Sequence, residues 1–120
     1  MRTFLIFTHS MKVHLIRKES IKGFVLDHAR SKCSFDEWLR RLKGVKWRFP
    51  EDMRETYPGV DFLGNGCPRV VFDIGGNNYR MICKYVFGRS YIRLYISWIG
   101  THAEYTHLCR QGLQYSINQF

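Results

Sequence analysis

Two stretches in the C-terminal half collect residue types that can bind a phosphate group and move a proton beside it. Residues 72–80 read FDIGGNNYR, and residues 100–105 read GTHAEY. Thr101 and Glu104 form the pattern of a capping box, so His102 is expected in the first turn of a helix. A histidine there can exchange a proton with an anion bound at the helix N-terminus. Because the chain carries a net charge of +9, this grouping indicates nucleic acid as the partner.

The strands that carry these stretches follow from the alternation of apolar and polar residues. Residues 69–74, 79–87 and 91–99 are predicted as three antiparallel strands, joined by turns at 75–78 and 88–90. One face of this meander would be apolar and would pack against the helices. On the last strand that face is expected to carry Ile92, Leu94, Ile96 and Trp98.

The other face of the meander would collect polar side chains, namely Arg69, Arg80, Lys84, Arg93 and Tyr95. Four like charges repel one another, and a phosphate-bearing partner would relieve that repulsion. Tyr95 adds a ring on which a base could stack. The alternative is the ordinary solvated face of an antiparallel sheet, and the pattern alone leaves both open.

A second basic run lies in the N-terminal half and includes Lys46 and Arg48. It follows a predicted helix whose opposite side is apolar. The run is a further candidate for contacts with a phosphate backbone. The wet side of an amphipathic helix has the same composition, so this alternative also stays open.

Helical spacing in the N-terminal half supplies elements that would cover the sheet. Residues 12–17 read as a short strand, and residues 19–30 read as a helix. A second helix is expected to begin at Ser34, where Glu37 would complete a capping box. Gly44 is expected to end that helix.

The remaining elements complete the fold class. Residues 50–55 begin like a short helix, residues 64–68 are predicted as loop, and a closing helix is capped by Thr101. The predicted fold is α+β: an N-terminal strand and two to three helices packed on one face of an antiparallel meander sheet, with a C-terminal helix. Residues 1–10 are interpreted as an extension ahead of a single domain at residues 11–120.

Composition excludes several classes of protein. The 120 residues suffice for one core, and a hydrophobic content of 45% is typical of a globular chain.

The four cysteines are widely spaced without a C-x-x-C pair, so no metal site is expected, and reduced thiols fit a cytoplasmic protein. Gly75 and Gly76 join two strands rather than a strand and a helix, which excludes a P-loop, and no cofactor is expected. No run is apolar and long enough to predict a membrane span.

The two stretches together resemble the HigB-type toxins of bacterial type II toxin–antitoxin systems, within the RelE-like superfamily. The similarity covers about residues 11–109 and includes the Arg-Lys pair at 17–18 and the VKWR sequence at 45–48. Two departures occur in this sequence. Asn78 stands where a lysine is common, and Thr106 stands where an acid often follows the tyrosine.

This resemblance implies a RelE-like fold and a ribosome-dependent endoribonuclease, an mRNA interferase, that inhibits translation. It also implies a helix-turn-helix antitoxin of the HigA type as partner, mRNA and the ribosome as targets, and no requirement for metal. The implied reaction is attack of a ribose 2′-OH on the adjacent phosphate. Such a reaction needs an acid, a base and positive charge around the phosphorus.

The residues expected to perform this reaction come from both stretches. Arg80 and Lys84 would hold the scissile phosphate, and His102 would transfer the proton. Tyr105 or Tyr95 would orient a base or stack on it. The residues expected to bind RNA alongside are Arg69, Arg93, Tyr95, Lys46 and Arg48. Two other functions stay open: a non-catalytic inhibitor that occupies the ribosome or its RNA, and a gyrase-poisoning relative on the same scaffold.

Overall fold

A computed structural model of the chain describes residues 11–120 as a five-stranded sheet with helices on both faces. The strands are β1 (Lys12–Ile16), β2 (Asp61–Gly64), β3 (Cys67–Ile74), β4 (Tyr79–Phe87) and β5 (Tyr91–Thr101). The helices are α1 (Glu19–Asp27), α2 (Lys32–Lys43), α3 (Met53–Thr56) and α4 (His102–Arg110). The α+β class predicted from the sequence is confirmed. The extension expected at residues 1–10 lies outside the described residues, and the single domain at residues 11–120 stays a prediction.

The sheet order is β1-β5-β4-β3-β2, with β1 parallel to β5 and the other pairs antiparallel. The meander predicted for β3, β4 and β5 is confirmed, and β2 extends it by one strand. The loop predicted at residues 64–68 is wrong, because Gly64 pairs with Cys67 across a tight turn. Gly64, Asn65 and Gly66 have φ values of 72°, 55° and 73°, which glycine and asparagine tolerate.

α1 and α2 cover one face of the sheet. Ile21 from α1 and the side chains of Phe35, Trp38 and Leu42 from α2 are buried there in the main core. These positions fall on one stripe of each helix, so burial of that stripe supplies the packing energy that fixes both helices on the sheet. The apolar stripe predicted for α2 is confirmed, and so is its end at Gly44.

The start predicted for α2 at Ser34 is wrong. The helix begins at Lys32, directly after a 3₁₀ turn at Ala29–Ser31. Because the chain enters α2 from that turn, no free helix N-terminus exists at Ser34 for its hydroxyl to cap. Ser34 instead packs beside Gly75, where a Cβ would come within 2.8 Å of the hydroxyl oxygen. Glu37 accepts hydrogen bonds from two arginines of its own helix rather than from a helix end.

α4 packs on the opposite face of the sheet, so the prediction that the helices share one face is wrong. Leu108 of α4 is buried against Val71, Ile82 and Trp98 in a second apolar cluster. Tyr105 adds its ring to the edge of this cluster, 6.1 Å from the Trp98 ring. The face that the sequence predicts as open and polar is therefore covered in its middle.

A bulge in β5 explains why Trp98 leaves the apolar face predicted for it. Ile82 pairs with Trp98, whereas the next residue of β4, Cys83, pairs with Ile96. Ser97 is the extra residue, and it reverses the alternation of side chains beyond that point. Trp98 consequently lies on the face opposite Ile96. A simple period of two cannot predict this reversal.

The C-terminal tail, residues 113–120, crosses the same face as α4. The Arg69 side chain donates from Nη1 to the carbonyl of Ile117 at 2.7 Å and to that of Gln114 at 3.3 Å. The backbone N–H of Gln119 donates to the carbonyl of Ser97 at 2.7 Å. These contacts join the tail to β3 and to β5, so the tail crosses the sheet from one of these strands to the other.

Candidate functional site

The hairpin turn between β3 and β4 and the start of α4 meet at one end of the sheet. The backbone N–H of His102 donates to the carbonyl of Asn78 at 2.9 Å, which ties the helix start to the turn. The predicted capping box is confirmed, since Glu104 N–H donates to Thr101 Oγ1 at 3.1 Å and Thr101 N–H donates to Glu104 Oε1 at 2.8 Å. Arg80 pairs across the strands with Gly100, directly before this cap. The two stretches singled out from the sequence are therefore neighbours in space.

The Arg80 guanidinium is held from several sides. Its Nε lies 3.1 Å from Asp73 Oδ1 across the β3–β4 pair, and its Nη2 donates to Asn77 Oδ1 at 2.7 Å. Its Nη1 donates to the carbonyl of Tyr79 at 3.1 Å. Only 11% of the Arg80 side chain is exposed. The cation is thus fixed at the turn and partly neutralised by Asp73, rather than free to move toward a ligand.

His102 is exposed at the first position of α4, and Tyr105 follows it on the same helix. The Thr106 hydroxyl donates to the His102 carbonyl at 3.1 Å and lies 3.5 Å from the ring atom Nδ1. Burial, followed by the neighbouring Cys109, raises the pKa of the Tyr105 hydroxyl, whereas Arg80 opposes that shift. Tyr105 therefore keeps its proton at neutral pH. We call Asp73, Asn77, Arg80, His102 and Tyr105 the turn–helix site.

Lys84 does not lie with Arg80, although both were expected at one phosphate. The two residues are four positions apart on β4, which corresponds to ~13 Å at about 3.3 Å per residue. Ile82 lies between them under Leu108 and Trp98 of the second apolar cluster. The structure therefore divides the predicted catalytic set, with Arg80, His102 and Tyr105 at one end and Lys84 apart from them.

Lys84 lines a separate cleft of about 360 Å³. Arg69 pairs with Lys84 across β3 and β4, and Lys84 pairs with Tyr95 across β4 and β5. Arg17 and the end of the C-terminal tail complete the walls. We call this the tail cleft, and the residues that define it are Arg17, Arg69, Lys84, Tyr95, Asn118 and Phe120.

The other cations predicted to bind RNA lie away from both places. Arg93 donates from Nη2 to the Tyr91 hydroxyl at 3.0 Å and lies over that ring at 4.6 Å. Lys46 and Arg48 are exposed on either side of the buried Trp47. The Trp47 carbonyl accepts a hydrogen bond from the N–H of residue 11, which places this segment beside the start of β1. The structure does not bring these three cations to the turn–helix site.

Three residues at these places were missing from the predicted set. Asp73 and Asn77 hold Arg80, and Asp73 was recoverable, because the turn at residues 75–78 fixes the register that sets it opposite Arg80. The sequence gives no comparable signal for Arg17. This residue follows the last residue of β1, and it reaches the tail cleft only because β1 pairs in parallel with β5.

The described residues also show how the cysteines, the metal-ligating side chains and the helix lengths are arranged. All four cysteines lie within them, and each is a free thiol. Across residues 11–120, no three His, Cys, Asp or Glu side chains come together as a metal site would require. Within the same range, no helix has both the length and the apolar character needed to cross a bilayer.

Comparisons with known proteins identify the family to which this fold belongs. Residues 31–108 match the family model described as "HigB_toxin, RelE-like toxic component of a toxin-antitoxin system". That range spans α2, the whole meander and most of α4, so it contains the turn–helix site. A relative from Escherichia coli O6:H1 (strain CFT073), named "mRNA interferase HigB", is 29% identical over 98 residues, which are 82% of this chain and 93% of the relative.

The α+β fold and the family match thus define a RelE-like toxin. The chain belongs to the HigB toxin family. The resemblance expected from the two stretches is confirmed. As the toxic component of a toxin–antitoxin system, the protein has an antitoxin as its partner.

Proposed function

We propose that this toxin is an mRNA interferase, an endoribonuclease that cuts mRNA on the translating ribosome. The observation that carries the proposal is the hydrogen bond of 2.9 Å between His102 N–H and the Asn78 carbonyl, because it holds the first residue of α4 against the turn that holds Arg80. The name of the Escherichia coli relative supports the same reaction. The net charge of +9 suits a polyanionic substrate.

The proposed reaction is an internal transesterification. The ribose 2′-oxygen forms a bond to phosphorus, the bond from phosphorus to the 5′-oxygen breaks, and the products carry a 2′,3′-cyclic phosphate and a 5′-hydroxyl. His102 is exposed at the helix start; it takes the proton that the 2′-OH loses and gives a proton to the leaving 5′-oxygen. The Arg80 guanidinium, oriented by Asp73 and Asn77, stabilises negative charge on the phosphorane.

Tyr105 orients the substrate rather than acting as a base. Burial raises the pKa of its hydroxyl, so this group is a hydrogen-bond donor at neutral pH. Lys84 is separated from Arg80 by ~13 Å of backbone along β4 and by the apolar cluster of Ile82 and Leu108, and we assign it to RNA nucleotides beyond the cut. Side chains thus supply the proton transfer and the positive charge, and the proposed mechanism uses neither a metal ion nor a cofactor.

The proposed biological setting follows from the family. The antitoxin is proposed to be a helix-turn-helix protein of the HigA type, and the toxin is proposed to act in the cytoplasm, where ribosomes and mRNA occur. Membership of a toxin–antitoxin family supports this assignment. Purification of the toxin with the protein encoded beside it would test the type of antitoxin.

The function is tested by mapping RNA ends in a translation extract. Purified toxin is added to an extract translating a defined mRNA, and the 5′ ends of the fragments are sequenced. We expect cuts within the translated region, a 5′-hydroxyl and a 2′,3′-cyclic phosphate at the new ends, and far fewer cuts in the same mRNA without ribosomes. A 2′-deoxy nucleotide at the main cut position should abolish that cut.

Each other outcome counts against a named part of the proposal. Arrested translation with intact mRNA would instead support a non-catalytic inhibitor bound to the ribosome. DNA damage without arrest would support a gyrase poison. Equal cutting of free mRNA would contradict ribosome dependence, and fragments that end in a 3′-hydroxyl would contradict attack by the 2′-OH.

A further inference from the structure

The tail cleft is strongly cationic and lies apart from the turn–helix site. Arg17, Arg69 and Lys84 line it, and within residues 11–120 no aspartate or glutamate does. Residues 1–10 contain no acidic residue, so that segment cannot supply a carboxylate side chain either. Three cations without an acidic side chain beside them attract an anion.

Two of these cations are forced together by the sheet. Arg69 and Lys84 are direct partners across antiparallel strands, an arrangement in which like charges destabilise the pair. The Arg69 guanidinium is fixed there by the carbonyls of Gln114 and Ile117 in the C-terminal tail. Lys84 remains exposed beside it. An anion between the two would relieve their repulsion.

The third cation occupies an unfavourable backbone conformation. Arg17 has a φ of 75°, a left-handed region that is unfavourable for a residue with a Cβ. The conformation belongs to the sharp turn from β1 into α1, where the Arg17 carbonyl accepts the N–H of Ser20 at 2.9 Å. Glycine would make this turn without strain. An arginine there points to a function for the side chain, since backbone strain tends to persist at functional sites.

We propose that the tail cleft binds a backbone phosphate of single-stranded RNA, several nucleotides away from the bond that is cut. Arg17, Arg69 and Lys84 contact the phosphate oxygens, and the half-buried Tyr95 offers its ring to the adjoining base. The inference rests on the proposed function in one respect, namely that RNA is the substrate. The separation of ~13 Å along β4 makes the tail cleft a second, non-reacting contact on the same strand.

The test measures binding without cleavage. The full chain is titrated with a fluorescent oligonucleotide whose riboses are 2′-O-methylated, which removes the attacking hydroxyl, over a range of salt concentrations. We compare wild type, Lys84→Gln, Arg17→Gly and the control Lys22→Gln, which removes an exposed cation from α1 on another part of the surface. Each cleft substitution should weaken binding about tenfold. It should also reduce the slope of log K against log salt by at most ~0.7, the value for one whole phosphate contact on a single strand.

Arg17→Gly tests the loss of RNA affinity separately from any loss of fold stability. Glycine adopts a φ of 75° readily, so this variant should melt at the same temperature as wild type or higher, while it binds RNA more weakly. The inference is overturned if Lys84→Gln and Arg17→Gly bind with the affinity and salt slope of Lys22→Gln. It is also overturned if the wild type shows no salt-dependent binding.

The same measurement distinguishes the cleft from catalysis. If the wild type cuts no RNA but loses binding through the cleft variants, the inference stands and the proposed nuclease activity fails. If the wild type cuts RNA while the cleft variants bind like the control, the activity stands and the inference fails.

Discussion

Arg80 and Asp73 face each other across β3 and β4, with 3.1 Å between Arg80 Nε and Asp73 Oδ1. The pair lies next to the turn between β3 and β4. In that turn, the Asn78 carbonyl accepts a hydrogen bond from the His102 N–H. Asp73 therefore does more than neutralise a charge: it fixes the orientation of the cation that we assign to the phosphate. The positions of the arginine and the histidine depend on the same hairpin.

Asp73→Asn should destabilise the fold, because it leaves a cation that is only 11% exposed without its carboxylate. We expect the free energy of unfolding to fall by about 1–2 kcal/mol, measured by urea denaturation. Asp36→Asn is the matched control, since it breaks the exposed Lys32–Asp36 pair and should cost clearly less than Asp73→Asn. In a double-mutant cycle, Asp73→Asn should lose most of its effect when Arg80 is already Gln. Equal effects of Asp73→Asn and Asp36→Asn would contradict the assignment of Asp73 as the residue that orients Arg80.

Gly100→Ala should damage the fold beside the site. A Cβ at Gly100 would overlap the indole of Trp98 and come within 2.9 Å of Glu104 Oε1, the atom that caps α4. Forcing an atom into this contact should cost about 1–3 kcal/mol and shift the fluorescence of Trp98.

Gly23→Ala serves as the control for that substitution. Gly23 lies inside α1, and a Cβ there meets no atom of residues 11–120 within 4 Å. Alanine should raise stability by about 0.5–1 kcal/mol, because glycine in a helix interior is unfavourable. Thermal melts of both variants check the contrast. An unchanged melting temperature for Gly100→Ala would show that Trp98 does not cover this position.

Much of the fold follows from patterns in the sequence, and the departures have local causes. The meander, the α2 stripe and the capping box at Thr101 depend on neighbouring residues, so periodicity and capping patterns predict them. The reversal at Trp98 comes from a bulge at Ser97, which depends on pairing with β4. The actual start of α2 depends on how the chain leaves α1. Neither departure has a signal in the order of residues alone.

The sequence predicts Arg80, Lys84 and His102 as candidate residues, but it does not predict which of them lie together. Alternation correctly puts Arg80 and Lys84 on one face, yet it cannot reveal that Leu108 packs between them. The position of α4 depends on tertiary packing. Its apolar residues pack against Trp98, which the bulge in β5 turns toward them. Arg17 joins Lys84 only because β1 pairs in parallel with the distant strand β5. Such long-range pairings lie beyond any local pattern.

Tyr105 should ionise late when the pH is raised. Burial raises the pKa of its hydroxyl above the ordinary 10.0. Because the folded-state pKa is the higher one, the contribution of Tyr105 to stability is complete below about pH 10 and is lost as the pH rises further. In an ultraviolet titration, Tyr105→Phe should therefore remove absorbance change only above the ordinary tyrosine range. If Tyr105→Phe instead removed an absorbance change near pH 10, the burial of this hydroxyl would be contradicted.

Glu37 should make a small contribution to acid stability. Hydrogen bonds from Arg40, and then from Arg41, lower the pKa of its carboxyl from 4.5 to about 2. Because the folded-state pKa is the lower one, the stabilisation is complete above about pH 4.5 and is lost as the pH falls toward 2. The group is exposed, so high salt should weaken the effect. A carboxyl resonance of Glu37 that titrates near 4.5 in an NMR experiment would contradict the prediction.

The most direct test of the nuclease account is the cleavage rate of His102→Ala beside that of His107→Ala. Both histidines are exposed on α4, but only His102 is tied to the hairpin turn. With ribosome-bound mRNA under single-turnover conditions, we predict that His102→Ala slows cleavage roughly 10²- to 10⁴-fold, as expected for loss of an acid or base. His107→Ala should cut at nearly the rate of wild type. Equal rates for the two variants, both folded by circular dichroism, would contradict the assignment of the turn–helix site as the place where RNA is cut.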